Sequence, residues 1–135
     1  MSSILYAREQ TLDPSEFIDV LQRSGLAERR PVDDRGRIER MLAHANLIIT
    51  ARDASRLIGV SRALTDFAFC CYLSDLAVDR QYQRCGIGLR LIEETRRAAG
   101  PQAACILLSA PGAVGFYRSI GMPQSDRAFV YERDC

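Results

Sequence analysis

The run Leu76-Ala77-Val78-Asp79-Arg80-Gln81-Tyr82-Gln83-Arg84-Cys85-Gly86-Ile87-Gly88-Leu89 decides the architecture. An apolar, strand-like segment passes into a polar loop, and two glycines stand at the mouth of a helical pattern. Such a junction turns several backbone N–H groups toward one point, with the positive end of the helix dipole behind them, and this favours a pyrophosphate. Gly86 and Gly88 are expected to let phosphate oxygens approach where a Cβ would collide, and Arg84 to add charge at the rim. The spacing excludes two other phosphate loops. A dinucleotide fingerprint needs a small residue where Leu91 stands, and a Walker loop needs a lysine.

Downstream, Ile87, Leu91, Thr95 and Ala98 line one helical face, and Gly100-Pro101 stops the helix after Ala99. Ala104 to Ser109 reads as a short apolar strand, so strand, helix and strand form a βαβ unit whose two strands are parallel. A short helix over Ala113 to Ser119 follows, Gly121-Met122-Pro123 breaks the chain, and Ala128 to Glu132 is expected to return as a closing antiparallel strand. Upstream, Phe67 to Val78 is extended, preceded by strands over Leu57 to Leu64 and Leu47 to Ala51 joined by hairpins. Two helices come before them. One starts at Asp13-Pro14-Ser15-Glu16, where an N-cap, a first-turn proline and a third-position glutamate coincide, and ends at Gly25. The other begins near Asp33 or Asp34 and carries Ile38, Met41, Leu42 and Ala45 on one face. Ile4 to Ala7 opens the chain as a strand, and no repeat or second domain interrupts residues 1–135.

Composition narrows the chemistry. With 135 residues, 47% apolar and 26% charged, the chain is expected to be one ordinary globular domain. Its 18 basic and 17 acidic residues are interspersed, which argues against a nucleic-acid arm or an acidic tail. Every basic residue is arginine, so no lysine exists for a pyridoxal Schiff base or a P-loop. His44 is the only histidine and sits in an apolar helical pattern, which excludes two-histidine zinc sites and marks it as structural. No metal is expected. The five cysteines, Cys70, Cys71, Cys85, Cys105 and Cys135, form no CxxC pair and are odd in number, so the expected location is a reducing cytoplasm. Neither a signal peptide nor an apolar run of about 18 residues is visible, so no membrane association is expected.

Gln83-Arg84-Cys85-Gly86-Ile87-Gly88 resembles the Q/R-x-x-G-x-G/A signature of the GNAT superfamily of N-acetyltransferases. Ala113-Val114-Gly115-Phe116-Tyr117-Arg118-Ser119-Ile120-Gly121-Met122 is similar to the family's A-x-x-F-Y-x-x-x-G-F segment, and the order of elements agrees over nearly the whole chain. Ala110, where relatives often carry asparagine, and Met122, where they carry phenylalanine, depart from the pattern. The resemblance implies an α/β (α+β) fold with a mixed, mostly antiparallel twisted sheet, a central parallel strand pair and flanking helices. It also implies acetyl-CoA as cosubstrate, with its pyrophosphate on Gln83, Arg84, Cys85, Gly86, Ile87 and Gly88. Its pantetheine would make sheet-like bonds to Leu76, Ala77 and Val78.

The implied reaction is direct attack of a neutral amine on the thioester in a ternary complex. It requires amine deprotonation, oxyanion stabilisation and protonation of the departing thiolate. Tyr117 is the candidate acid, since a phenol of pKa about 10 stays protonated at neutral pH. Asp75 is the candidate proton acceptor, on a face shared with Leu73 and Ala77 by alternation; a salt bridge to Arg62 on the neighbouring strand is the structural alternative. Phe67, Phe69, Tyr72 and Tyr82 are candidate linings of an acceptor pocket. The expected partner is a small-molecule primary amine, with a homodimer left open. Rival functions are acetylation of a protein lysine or N-terminus, and a catalytically silent acyl-CoA-binding module.

Overall fold

The helix start at Asp13 forms as expected: its carboxylate accepts from the Ser15 amide at 2.9 Å, Pro14 occupies the first turn, and Gly25 ends the helix at φ 90°. In the computed structural model, which describes residues 3–135, this helix is α1 (Pro14–Ser24), preceded by β1 (Ile4–Arg8). A 3-10 turn, Leu26–Arg29, leads to α2 (Arg35–His44), whose first turn is capped by Asp34. His44 lies in the last turn of α2. Then come β2 (Leu47–Asp53), β3 (Arg56–Thr65), β4 (Cys70–Val78), α3 (Ile87–Ala99), β5 (Ala104–Ile106) and α4 (Val114–Ser119).

The strands form one sheet in sequence order, antiparallel throughout except for the parallel pair β4–β5. β2 and β3 are buried on both faces, so their sequences read as continuous apolar runs rather than alternations. On one face, α1 and α2 bury Phe17, Val20, Leu21, Ile38 and Leu42 against Ile48, Leu57, Val60 and Ala77. On the other, α3 buries Ile87, Leu91 and Ala99 against Leu47, Ile49, Ala51, Ile58, Ala63 and Cys71. Thr95, fully buried on that face, shares a 2.7 Å hydrogen bond with Ser61 and donates to the Leu91 carbonyl at 2.7 Å. No helix among the described residues is long and apolar enough to cross a membrane.

Three strand expectations need correction. The parallel ladder stops at the Tyr72–Ile106 pair, so β5 is shorter than the expected Ala104 to Ser109. A register shift between Arg62 and Ala63 leaves Ser74 as an extra residue on β4, and such a bulge bends its strand and weakens further pairing. The bulge also breaks the alternation assumed for β4. Asp75 and Ala77 lie opposite Arg62 and Val60 on the α1–α2 face, whereas Leu73 lies opposite Ala63 on the α3 face. The third correction is Ala128 to Glu132, which forms no strand among the described residues. Strand pattern supplies side chains for one face; it does not supply a partner for the backbone.

Candidate functional site

The loop after β4 is built on a pinned root. The Asp79 amide donates to the Ile58 carbonyl of β3 at 2.8 Å, and its nearly buried carboxylate accepts from the Gln81 amide at 2.9 Å and from the Arg23 guanidinium. Burial opposes ionisation of this carboxyl, but the Gln81 amide and the guanidiniums of Arg23 and Arg56 together hold it below the usual range. Arg23 also donates to the Leu57 carbonyl at 2.6 Å, tying α1 to the same corner. The Tyr82 hydroxyl donates to Asp53 on β2 at 2.6 Å, which commits Tyr82 to the loop's base rather than to an acceptor pocket. Phe67, Phe69 and Tyr72 stand at the opposite end of β4, substantially exposed.

From Gln83 onward the backbone turns sharply. Arg84 and Gly86 both take positive φ, 65° and 80°, a conformation that costs a side-chain-bearing residue and that concentrates at ligand-holding loops. Gly86 is the N-cap of α3, and no side chain caps the helix, so the amides of its first turn lack intrahelical acceptors. A Cβ added at Gly86 would meet nothing within 4 Å, so the backbone faces open space there. Gly88 does more than expected. A Cβ there would lie 2.9 Å from the Phe116 ring, so its small size also admits α4 against α3. Phe116 in turn packs edge-on against Tyr117, with ring centroids 5.0 Å apart. Gly88 therefore sets where α4 presents Tyr117.

Beyond the Ser74 bulge, β4 and β5 diverge and leave a cleft lined by Leu26, Arg30, Leu73, Leu76, Leu108 and Tyr117. Backbone polarity on its β4 side follows from three bonds. Arg30 reaches the Ser74 carbonyl at 2.8 Å and Gln83 Nε2 reaches the Val78 carbonyl at 3.1 Å, while the Asp79 amide points to β3. N–H and C=O groups alternate sides along a strand, so Leu76 turns both of its groups to the cleft and Ala77 turns its own to β3. Of the three residues expected to bond pantetheine, Leu76 is the one with an open donor and acceptor on that side. The half-buried Tyr117 phenol has its pKa pushed up by burial, with the Arg30 charge acting weakly in the opposite direction.

Asp75 is held away from this cleft. It is 0% exposed and sits between two guanidiniums, with Arg30 on one carboxylate oxygen and Arg62, 7% exposed, on the other. The expectation of a proton acceptor facing the thioester is thus replaced geometrically by the pairing alternative, extended by a second arginine. Arg62 also donates to the Ser74 hydroxyl at 3.0 Å and the Met41 carbonyl at 3.2 Å, so the ion cluster clamps the bulge from both sides. Arg30 and the bulge were not anticipated. Arg30 lies in a connection with no periodicity, 45 residues from Asp75, and no local signal joins them.

Comparison with known proteins accords with this geometry. A family model described as an acetyltransferase (GNAT) domain matches residues 30–132. A GCN5-related N-acetyltransferase of Arabidopsis thaliana chloroplasts is 28% identical over 110 residues, covering 76% of this chain; the match spans 56% of that relative's length. Among solved structures, a GNAT-family acetyltransferase from Streptococcus pneumoniae superposes with a TM-score of 0.75 at 22% identity, covering 98% of this chain and 99% of that one. A probable acetyltransferase from Staphylococcus aureus gives 0.79 at 18% identity, covering 97% and 99%. An aminoglycoside acetyltransferase from an uncultured soil metagenomic sample, solved with sisomicin, gives 0.69 at 21% identity, covering 96% and 94%. With its family model spanning β4, the loop after it and Tyr117, the chain belongs to the GNAT family of acetyltransferases.

Proposed function

We propose that this chain transfers the acetyl group of acetyl-CoA to a primary amine carried by a small molecule. The observation that carries the reading is that one strand, β4, runs beside a cleft holding Tyr117 and then, through the loop of residues 79–86, to the uncapped N-terminus of α3, where Gly86 faces open space. The pyrophosphate would lie on the amides of residues 84–88, with Arg84 at the rim, and pantetheine would bond the N–H and C=O of Leu76. The amine nitrogen attacks the thioester carbon and the C–S bond breaks. Tyr117 passes its proton to the departing thiolate, and the proton lost by the amine restores the phenol through solvent. Among the cleft-lining residues there is no carboxylate or imidazole, so in this reading the amine sheds its proton to water before attack. The structural neighbour solved with an aminoglycoside supports a small-molecule acceptor.

Thiol release with aromatic amines, polyamines, amino acids, aminoglycosides and peptides tests the reading. Turnover of a small amine is expected; turnover of peptides alone would move the acceptor to proteins, and none at all would leave an acyl-CoA-binding module. Binding is checked separately. Acetyl-CoA at about a hundredfold excess over Kd should stabilise the fold by about 2.7 kcal/mol, a rise in Tm of roughly 5–15 °C. Gly86→Asp should erase that rise by placing a carboxylate beside the phosphates, while the unliganded Tm falls only slightly. A full rise in this variant would remove the loop from the binding site.

A further inference from the structure

We infer that the acceptor is an α-amino acid with an apolar side chain, and that Arg30 reads its carboxylate. The inference rests on the acetyl-transfer reading above and names the substrate class for the same cleft. Its starting point is a charge imbalance. Arg30 and Arg62 share the single carboxylate of Asp75, and neither makes a further ion pair among the described residues. Arginine does not lose its proton in proteins, so the cluster carries one positive charge in excess. Arg62 is 7% exposed and spends its remaining bonds on the Ser74 hydroxyl and the Met41 carbonyl. The excess can meet an anion only at Arg30, whose side chain is 22% exposed and lines the cleft.

Arg30 also keeps donors free. Its Nε is spent on Asp75, one terminal nitrogen donates to the Arg29 carbonyl at 2.8 Å, and the other donates to the Ser74 carbonyl at 2.8 Å. These three bonds leave one N–H on each terminal nitrogen, and a carboxylate is the acceptor that such a fork holds best.

The rest of the cleft sets what accompanies that carboxylate. Every other lining residue is uncharged at neutral pH, and Leu26, Leu73 and Leu108 make walls suited to an apolar side chain. The free volume is about 50 Å³, so a nitrogen presented beside Tyr117 also comes close to Arg30, whose charge already acts on the Tyr117 phenol. Amine and carboxylate on one carbon match that short spacing. A polyamine meets the reverse of what it needs, since no lining carboxylate attracts it and the excess charge repels it.

Thiol release and ligand binding on the full chain test the inference together. Phenylalanine over phenethylamine, and leucine over isoamylamine, should each show a kcat/KM higher by about 10- to 100-fold, the scale of a hydrogen bond to a charged group, and the difference should lie in KM. Spermidine should fall below both amino acids. Calorimetry on the CoA-loaded protein needs no turnover: hydrocinnamate, which lacks the amine, should bind, and its amide should not. Arg30→Gln should bring both ratios near one and abolish hydrocinnamate binding; the wild-type comparisons stand even where this variant fails to fold. Decarboxylated amines or spermidine used as well as the acids would overturn the inference, as would an acid preference that survives Arg30→Gln. Hydrocinnamate binding with no amine turned over would keep the carboxylate site and remove the transferase reading. Neither binding nor turnover would remove both.

Discussion

Replacing Tyr117 with phenylalanine is expected to lower kcat by about 100-fold, at the lower end of what a positioned general acid contributes, while leaving acetyl-CoA affinity and Tm nearly unchanged. The ring packs beside Phe116 whether or not it carries a hydroxyl, so the variant removes a proton and little else. The pH dependence carries a second signature. Acid catalysis needs the phenol protonated, and burial moves its ionisation upward from the ordinary tyrosine value, so the wild-type rate should hold a plateau into alkaline pH before falling. The variant should lack that falling limb. Both proteins should share the rising limb at lower pH, which belongs to deprotonation of the amine. Initial rates from neutral to strongly alkaline pH with one amine decide the matter. Equal turnover throughout would make Tyr117 a packing residue.

What the sequence disclosed and what it hid divide along sequence separation. The α1 cap at Asp13, the turn from Val78 through Gly86 and the apolar face of α3 are written within a few residues each, in side chains whose preferences are chemical and local. The family resemblance added Tyr117, which the structure places on the cleft lining. Elsewhere the decisive neighbour was distant. Gly88 reads as a phosphate glycine from its neighbours alone, and its packing against Phe116 stays hidden because that ring comes from another element 28 residues on. Ser74 could not be recognised as a bulge, since a bulge is a property of two strands, and missing it assigned Leu73 and Asp75 to one face. The closing strand was misjudged for the same reason. Ala128 to Glu132 has strand chemistry but, among the described residues, no strand beside it.

Asp75→Asn is expected to destabilise the protein by about 3–5 kcal/mol, the usual cost of leaving buried charge unpaired, which lowers Tm by roughly 10–20 °C in a domain of this size. The carboxylate is fully buried and faces two arginines, neither of which can lose its charge; an amide can accept a hydrogen bond from one of them but neutralises neither. Because Arg30 also holds the Ser74 carbonyl and Arg62 its hydroxyl, the loss should loosen the bulge that opens the cleft. Asp75 would then act as a positioning residue, and the double variant Asp75→Asn/Arg62→Gln should cost less than the two single changes added together, since both act on one cluster. Rates measured well below the lowered Tm should keep the wild-type pH profile, because the proton leaving the amine goes to water. A catalytic base predicts the reverse: an unchanged Tm, a steep fall in kcat/KM near neutral pH and partial recovery as pH approaches the amine's own pKa. Melting curves and pH–rate profiles on the same preparation separate the two, and the second pattern would return Asp75 to the reaction.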